Sequence, residues 1–179
     1  MKNIQFFKLK EAINMKFMEI KSSKEIYSLV ELIREIWPET FIPIIGKDQV
    51  NYMLLHYHGK DAITGEIKCG TRYFFIKDSD RVIGYLAYSL EKDHLVVNKV
   101  YLKKEFRGLG LSTKIFSYLE ETAVKNKKEK LVLNVNRLNK QAVAVYLRCG
   151  FKIVKNVDQP LGNGFFLNDF RMERKITLD

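Results

Sequence analysis

Residues 100–112 of the chain read VYLKKEFRGLGLS. Val100–Leu102 combines β-branched, aromatic and aliphatic residues, which favours a strand. Gly108 and Gly110 follow, and from Leu111 onward apolar residues recur at helical spacing. Glycine allows positive φ and a close approach of the backbone to a ligand, and the first turn of a helix presents unpaired N–H groups at the positive end of its dipole. The stretch therefore predicts a strand, a turn and a helix that cradle a diphosphate with backbone amides.

Two better-known phosphate-binding loops do not fit this turn. A P-loop requires G-x-x-x-x-G-K-[S/T], which the chain lacks. A dinucleotide fingerprint requires a third glycine, but Thr113 stands at that position. The pattern that fits is R/Q-x-x-G-x-G/A, which reads Arg107-x-x-Gly110-x-Ser112 in this chain.

The rest of the chain predicts helices interleaved with strands. Pro38 and Pro43 predict an irregular loop, whose Trp37, Phe41 and Ile42 suit either the core or the wall of a binding pocket. The predicted elements are, in order, a strand Lys16–Ile20, a helix Ser23–Ile36, the loop Trp37–Gly46, a helix capped by Asp48, a short helix Ala62–Ile67, strands Arg72–Lys77, Arg81–Glu91 and His94–Leu102, a helix Leu111–Lys125, a strand Lys130–Val135, a helix from Asn139 to Gly150, and strands Phe151–Lys155 and Phe165–Arg174. This order predicts an α/β protein with a mixed sheet and helices on both faces.

Composition indicates an ordinary globular protein. The chain has 179 residues, of which 46% are hydrophobic and 29% charged. We expect residues 1–14 to form an N-terminal extension and residues 15–179 to form a single domain. No apolar run is long enough for a membrane helix, and two cysteines without an export signal favour a reduced, cytoplasmic setting. The three histidines lack partners at metal-ligand spacing, so we expect no metal.

Basic residues exceed acidic ones, 31 against 21, which gives a net charge of +10. The excess is partly local, because residues 99–130 hold nine Lys or Arg and four Asp or Glu, whereas residues 15–70 hold seven and eight. A basic region around the glycine turn favours an anionic ligand. A nucleic-acid-binding module is an alternative, but the chain lacks a recognition-helix pattern or an aromatic RNA-binding signature.

A second motif follows the glycine turn. It reads Asn139-x-x-Ala142-x-x-Val145-Tyr146-x-x-x-Gly150-Phe151 and places Ala142 and Tyr146 on one helical face. Together the two motifs resemble the acyl-CoA turn and the N-x-x-A-x-x-F/Y-Y-x-x-x-G-F signature of the GNAT N-acetyltransferase superfamily, with Ser112 and Val145 as departures. The resemblance covers Met15–Lys175. The stretches Asn134–Lys140 and Leu161–Phe170 are similar to a bacterial subgroup that includes polyamine-type acetyltransferases.

The resemblance implies a mixed, mostly antiparallel central sheet with helices on both faces and two strands splayed apart at the cofactor. It implies acetyl-CoA-dependent transfer of an acetyl group to a primary amine, by direct attack of the amine on the thioester. A small cationic amine such as a polyamine is the favoured acceptor. A protein or peptide amine, and a non-catalytic acyl-CoA sensor, are the alternatives. A homodimer is common among similar proteins, and the hairpin Gly162–Phe170 is where we would expect its contact.

The resemblance also implies roles for single residues. The backbone of Val100 and Leu102 is expected to pair with pantetheine, and Tyr146 is expected to protonate the leaving thiolate. The residues implied in cofactor binding are Val100, Tyr101, Leu102, Arg107, Gly108, Leu109, Gly110, Leu111, Ser112, Thr113, Asn134, Asn139 and Tyr146. The base that deprotonates the amine stays open between a solvent-linked group and four side chains, Glu35, Glu39, His56 and His94.

Overall fold

The computed structural model describes residues 13–176, so residues 1–12 of the expected extension lie outside it. The elements, in chain order, are β1 Met15–Glu19, α1 Ser23–Ile45, α2 Lys47–His56, α3 Lys60–Lys68, β2 Arg72–Asp78, β3 Arg81–Leu90, β4 His94–Leu102, a 3₁₀ turn Lys104–Phe106, α4 Leu111–Lys125, β5 Lys130–Asn136, α5 Lys140–Arg148, β6 Lys152–Gly162 and β7 Phe165–Lys175.

Seven strands are hydrogen-bonded in the order β1-β2-β3-β4-β5-β7-β6. The pairs β1–β2, β5–β7 and β6–β7 are antiparallel, whereas β4 and β5 are parallel. The predicted mixed, mostly antiparallel sheet is thereby confirmed. By its internal packing the chain divides into two compact units, one of residues up to Ala87 with Lys99–Lys114, the other of Tyr88–Asn98 with the residues from Ile115 on. A single domain that begins at residue 15 stays a prediction.

The start of α1 is fixed by a capping box in the first unit. The Ser22 hydroxyl accepts the Glu25 amide at 3.3 Å, and the Glu25 carboxylate accepts the amides of Ser22 at 2.8 Å and Lys21 at 2.9 Å. These backbone bonds lower the pKa of Glu25 to about 2. The four first amides of a helix lack internal acceptors, so this reciprocal pairing fixes where the helix starts.

The predicted loop Trp37–Gly46 is wrong, because α1 continues through Pro38 and Pro43 to Ile45. Trp37 and Phe41 continue the buried stripe of the helix, with 4% and 8% of their surfaces exposed. Burial of each contributes about 1.5–3 kcal/mol, which offsets much of the roughly 3 kcal/mol that an internal proline costs. The helix stops at Gly46, whose φ of +80° L-residues rarely adopt.

Two further boundaries differ from the sequence-based expectation. Asp48 does not cap α2, because the helix begins after Gly46 without a side-chain cap. β6 does not end at Lys155 but continues to Gly162, paired with β7 to the end of the hairpin. Most side chains of β6 are exposed. The strand therefore lacks the alternation of apolar and polar residues by which a half-buried strand is predicted from sequence.

The second unit is built on three antiparallel strands. β5 pairs with β7 from Lys130–Lys175 to Asn136–Asp169, and Leu131, Leu133 and Met172 are buried along this pair. Arg174 on β7 forms hydrogen bonds with α4 and with the residue that follows α5. Its guanidinium donates to the carbonyl of Cys149 at 2.9 Å and to the carboxylate of Glu120 at 2.9 Å.

Gly84 on β3 marks a very close approach of backbone to β4 within the first unit. A Cβ at this position would lie 2.2 Å from the carbonyl oxygen of Tyr101 and 3.0 Å from the Cα of Leu102. Nearby, the amide of Lys103 donates to the carbonyl of Ile83 at 2.9 Å. The Leu102 Cδ2 would also lie 2.9 Å away, but the nearest obstructing atom is a backbone carbonyl oxygen, so no side-chain rotation relieves the clash. The end of β4 therefore depends on a residue without a Cβ at position 84.

We expect Gly84→Ala to destabilise the fold by about 1–3 kcal/mol through overpacking, which lowers Tm by roughly 3–10 °C. The matched control is Gly65→Ala in α3, where a Cβ meets no atom of the described residues within 4 Å and a helical alanine adds about 0.5–1 kcal/mol of stability. Thermal unfolding of both variants measures the difference. An unchanged Tm for Gly84→Ala would contradict the close approach.

Candidate functional site

The turn after β4 alternates between surface and core. Gly108 and Gly110 are exposed, with φ of +75° and +72°, while Leu109 and Leu111 are buried, with 5% and 2% of their surfaces exposed. The leucine side chains therefore anchor the turn while the backbone at the glycines faces outward. Positive φ at both glycines is a conformation that L side chains adopt only with strain.

The amides of this turn are the polar groups that it offers. The flanking amides are used internally, since Arg107 donates to the carbonyl of Lys104 at 3.1 Å and Thr113 to that of Gly110 at 3.3 Å. Within residues 13–176, the amides from Gly108 to Ser112 have no internal acceptor. They stand at the N-terminus of α4, where the helix dipole favours an anion.

The Arg107 side chain holds the turn in place from within the first unit. Its Nε donates to the carbonyl of Leu102 at 2.8 Å, and its terminal nitrogens contact the Thr40 hydroxyl at 3.2 Å and the Glu39 carboxylate at 2.8 Å. The guanidinium thus links the end of β4 to α1. Sequence reasoning placed Arg107 at the cofactor, and the structure gives its side chain protein partners.

The cofactor-binding segment Val100–Leu102 forms the end of β4, and all three residues are half-buried. In the second unit, β4 pairs with β5 from His94–Lys130 to Val97–Leu133. The paired register stops there, although β4 continues to Leu102 and β5 to Asn136. The predicted splaying requires such an early end of the pairing.

Tyr101 lies in an aromatic cluster of the first unit. Its ring is 5.1 Å from that of Tyr85, and 5.9 Å from the rings of both Trp37 and Phe41. The Trp37 indole donates to the Tyr85 hydroxyl at 3.0 Å, and burial raises the pKa of that hydroxyl well above its usual range. Trp37 and Phe41 therefore belong to the core, while Ile42 is 39% exposed.

Two features beside this cluster have no motif in the sequence. Glu66 accepts hydrogen bonds from Lys99 at 3.0 Å and from the Tyr73 hydroxyl at 2.5 Å. His58 is 6% exposed, its ring lies 4.0 Å from that of Trp37, and neither of its nitrogens has a hydrogen-bond partner among residues 13–176. Burial, reinforced by the Lys99 charge, lowers the pKa of His58 to about 3, so its imidazole is neutral.

The second motif lies on α5 in the second unit. The Asn139 side chain caps this helix by accepting the Ala142 amide at 3.1 Å, as the sequence predicts. Tyr146 is half-buried, with its ring 5.7 Å from that of Phe116 and 6.0 Å from that of Phe151. Burial raises the pKa of Tyr146 to about 12, and its hydroxyl has no hydrogen-bond partner among residues 13–176. A protonated phenol without a partner is free to donate.

Asn134 is exposed on β5 and pairs with Arg171 of β7. Near the end of the same strand pair lies Asp169, a residue that sequence reasoning missed, with 9% of its surface exposed. Burial raises the pKa of Asp169 to about 6, because its desolvation outweighs the Arg137 charge. The sequence does not distinguish this aspartate from the other polar residues of the strand, because only the folded structure shows that it is buried.

The four candidate bases are placed as follows. Glu35 pairs with Lys103 at 2.9 Å, Glu39 pairs with Arg107, and His94 contacts Asp93 at 2.7 Å. His56 is exposed at the end of α2, with its ring 4.4 Å from that of Tyr52. None of the four is both buried and free of a partner in the part of the chain that the structure describes.

The described residues offer neither a metal cluster nor a membrane-spanning helix. Between residues 13 and 176, no group of three or more His, Cys, Asp or Glu is placed to hold a metal ion. No helix within that range is both long and apolar enough to cross a membrane. Cys69 and Cys149 are free thiols.

Comparison with known proteins matches these observations. The family model of the acetyltransferase (GNAT) family matches residues 27–151. An N-acetyltransferase from the pepI 3′ region of Lactobacillus delbrueckii subsp. lactis is 26% identical over 138 residues, which cover 72% of this chain and 80% of that protein.

Solved structures share the fold at low identity. The PaiA N-acetyltransferase from Thermoplasma acidophilum, in complex with coenzyme A, superposes with a TM-score of 0.75 at 20% identity, over 91% of this chain and 99% of that one. An acetyltransferase from Thermus thermophilus gives 0.69 at 17% identity, over 92% and 99% of the two chains. A chimera of the Vibrio cholerae spermidine N-acetyltransferase SpeG and hSSAT gives 0.66 at 15% identity, over 90% and 94%.

The family model covers most of the chain, and it confirms the family, the enzyme class and the co-substrate predicted from the two motifs. The chain belongs to the acetyltransferase (GNAT) family and is an enzyme of acetyl-CoA-dependent N-acetylation.

Proposed function

We propose that the enzyme transfers the acetyl group to a primary amine, and that the acceptor is a small cationic amine such as a polyamine. The proposed cofactor site is supported by the turn from Gly108 to Ser112. The outward amides of this turn lack internal acceptors within the described residues. Two diphosphate oxyanions need several donors, and backbone N–H groups at a helix N-terminus supply them.

The residues present fit this co-substrate. The cradle would hold the diphosphate through backbone amides, with Ser112 and Thr113 adding hydroxyl donors. Arg107 would contribute by fixing the turn through its own partners. The end of the β4–β5 pairing at Val97 supports the proposal that the backbone of Val100 and Leu102 pairs with pantetheine as an added strand. Asn139 and Tyr146 would lie near the thioester end, and Asn134 would take part in cofactor binding.

Tyr146 is proposed as the acid of the reaction. The acceptor amine must lose a proton before it attacks, because a Lys-like ammonium has a pKa near 10.4. The C–N bond then forms as the C–S bond breaks, and the Tyr146 phenol gives its proton to the leaving sulfur. Its raised pKa keeps the phenol protonated at neutral pH. General acid catalysis of this kind contributes about 10²–10⁴-fold.

The charge distribution supports a cationic acceptor. Residues 99–130 are basic and suit the phosphates of the co-substrate, whereas residues 15–70 hold eight acidic against seven basic residues. The PaiA structure contains coenzyme A, and another similar structure is a chimera of a spermidine N-acetyltransferase. At 15–20% identity these likenesses support the fold, so the acceptor rests on the chain's own charges.

An amine panel tests the acceptor directly. Thiol release from acetyl-CoA is measured with spermidine, spermine, putrescine, a lysine peptide and a peptide with a free N-terminus. We expect the highest kcat/KM with a polyamine. A preference for either peptide would replace the proposed acceptor with a protein amine. If none of the five compounds stimulates thiol release, N-acetylation of these acceptors is contradicted.

Gly108→Ala is expected to weaken coenzyme A binding by about tenfold or more, because a methyl group then projects from the cradle and φ must move away from +75°. Gly164→Ala is the matched control. That glycine also has a positive φ, +77°, and open space at its Cβ, but it lies in the β6–β7 hairpin. Calorimetric titration with coenzyme A compares the two, and equal affinities would exclude the cradle.

Tyr146→Phe is expected to lower kcat by about 10²-fold or more and to leave the Kd for coenzyme A within twofold of wild type. The hydroxyl has no partner among residues 13–176, so its removal should leave Tm unchanged or slightly higher. Steady-state kinetics and a melting curve check both parts. A wild-type kcat would remove Tyr146 as the acid.

A further inference from the structure

Asp169 is a buried carboxyl group without a hydrogen-bond partner among the residues that the structure describes. We propose that Asp169 is the group that receives the proton of the acceptor amine. This inference rests on the proposed function, because it supplies the base that the sequence leaves open. No donor among the described residues occupies its carboxyl oxygens, and these keep some contact with solvent, so the group can receive a proton and later release it to water.

The strand register places Asp169 at the relevant end of the second unit. Asp169 is paired with Asn136, the last residue of β5, and directly opposite side chains of an antiparallel pair share a face. The β4–β5 pairing has already ended at Leu133, whereas β5 remains paired with β7 as far as Asn136. Asp169 therefore lies one strand away from the part of β5 that the β4 register leaves unpaired.

The cations around Asp169 are engaged by other carboxylates. Arg137, which follows β5, forms an ion pair with Asp158 of β6. Arg171, two residues along β7 on the same face, donates to Glu173 at 3.1 Å. Neither arginine donates a hydrogen bond to Asp169, so its carboxyl group remains available to a cationic ligand.

The protonation chemistry suits this role. Burial and the nearby Asp158 charge raise the pKa of Asp169, the Arg137 charge lowers it, and the result is about 6. At pH 7 to 8 the group is mostly ionised and able to accept a proton. A base is most effective when its pKa lies near the working pH, and Asp169 is closer to that condition than an ordinary aspartate.

The acceptor nitrogen loses two protons during the proposed step. The ammonium gives the first to the Asp169 carboxylate, which later releases it to solvent. The neutral nitrogen attacks the thioester carbon, the C–N bond forms and the C–S bond breaks. The sulfur takes the Tyr146 proton, and the second proton lost by the nitrogen restores the phenol. One proton is released overall for each amide formed.

Two other acid–base groups compete for the role in the first unit. His58 is buried and has no hydrogen-bond partner in the described part of the chain, but with a pKa of about 3 its imidazole is too weak a base for a proton from an ammonium group. Glu66 is accessible, but its oxygens accept from Lys99 and Tyr73. Asp169 is the candidate that combines burial, a free carboxylate and a pKa near the working range.

The first test needs no turnover. The pKa of this carboxyl group is higher in the folded state than in the unfolded state, so its ionisation destabilises the fold. The loss of stability grows as pH rises from about 4 to 6 and is complete above that range. We therefore expect Asp169→Asn to raise Tm at pH 7.5 by roughly 3–8 °C and to leave it unchanged near pH 4. Asp80→Asn on an exposed turn is the control for the change in net charge. Equal Tm values of Asp169→Asn and wild type at pH 7.5 would overturn the assignment.

The second test links the group to the amine. The Asp169 carboxyl group is followed by carbon NMR, with Asp169→Asn to assign the signal, in protein free of coenzyme A. We expect a midpoint near pH 6 that falls when spermidine is added, because a bound cation stabilises the carboxylate. A midpoint that spermidine does not move would overturn the proposal, and this arm is read even if the enzyme proves inactive with every amine in the panel.

The third test uses kinetics. We expect Asp169→Asn to lower kcat for spermidine by about 10²-fold or more and to remove the acid limb of the pH profile, with the Kd for coenzyme A unchanged. An acceptor amine with a pKa near 7 is largely deprotonated already. With that amine, the fall in kcat caused by Asp169→Asn should be at least tenfold smaller than with spermidine. A wild-type pH profile, or equal losses for both amines, would overturn the role of Asp169. A wild type active only with peptides would instead revise the acceptor.

Discussion

The turn between β4 and α4 works because two kinds of residue alternate within a few positions. Leu109 and Leu111 are driven into the core, and Gly108 and Gly110 permit the positive φ that turns the backbone outward between them. Hydrophobic anchoring thus holds polar amides where they have no internal acceptor in the described chain. Water solvates these exposed amides in the free protein, and an anion that replaces this water meets several donors at once, which couples the local fold to ligand binding.

This constraint extends to the strand before the turn. Gly84 lets β3 approach the end of β4 so closely that a single methyl group would meet the carbonyl of Tyr101 at 2.2 Å. Arg107 then ties the carbonyl of Leu102 to α1 through Thr40 and Glu39. The position of the proposed pantetheine-pairing segment is therefore set by packing and hydrogen bonds within the first unit.

The parts of the structure that local sequence determines were predictable. The glycine turn, the cap at Asn139 and the helix from Leu111 to Lys125 follow from φ requirements, capping and periodicity, which act over a few residues. The helix through Pro38 and Pro43 did not follow, because burial of Trp37 and Phe41 against distant strands outweighs the local cost of proline. Asp169 and Glu66 could not be found in advance either. Their surroundings come from strands and helices far apart in the sequence, and neither lies in a motif.

The most direct measurement of the central claim is a titration of isotopically labelled protein with coenzyme A, followed through the backbone amide resonances. We expect large downfield proton shifts and slowed exchange at Gly108, Gly110 and Ser112, because these amides then donate to phosphate oxygens. Shifts confined to other parts of the chain, with these amides unmoved at saturating coenzyme A, would contradict it.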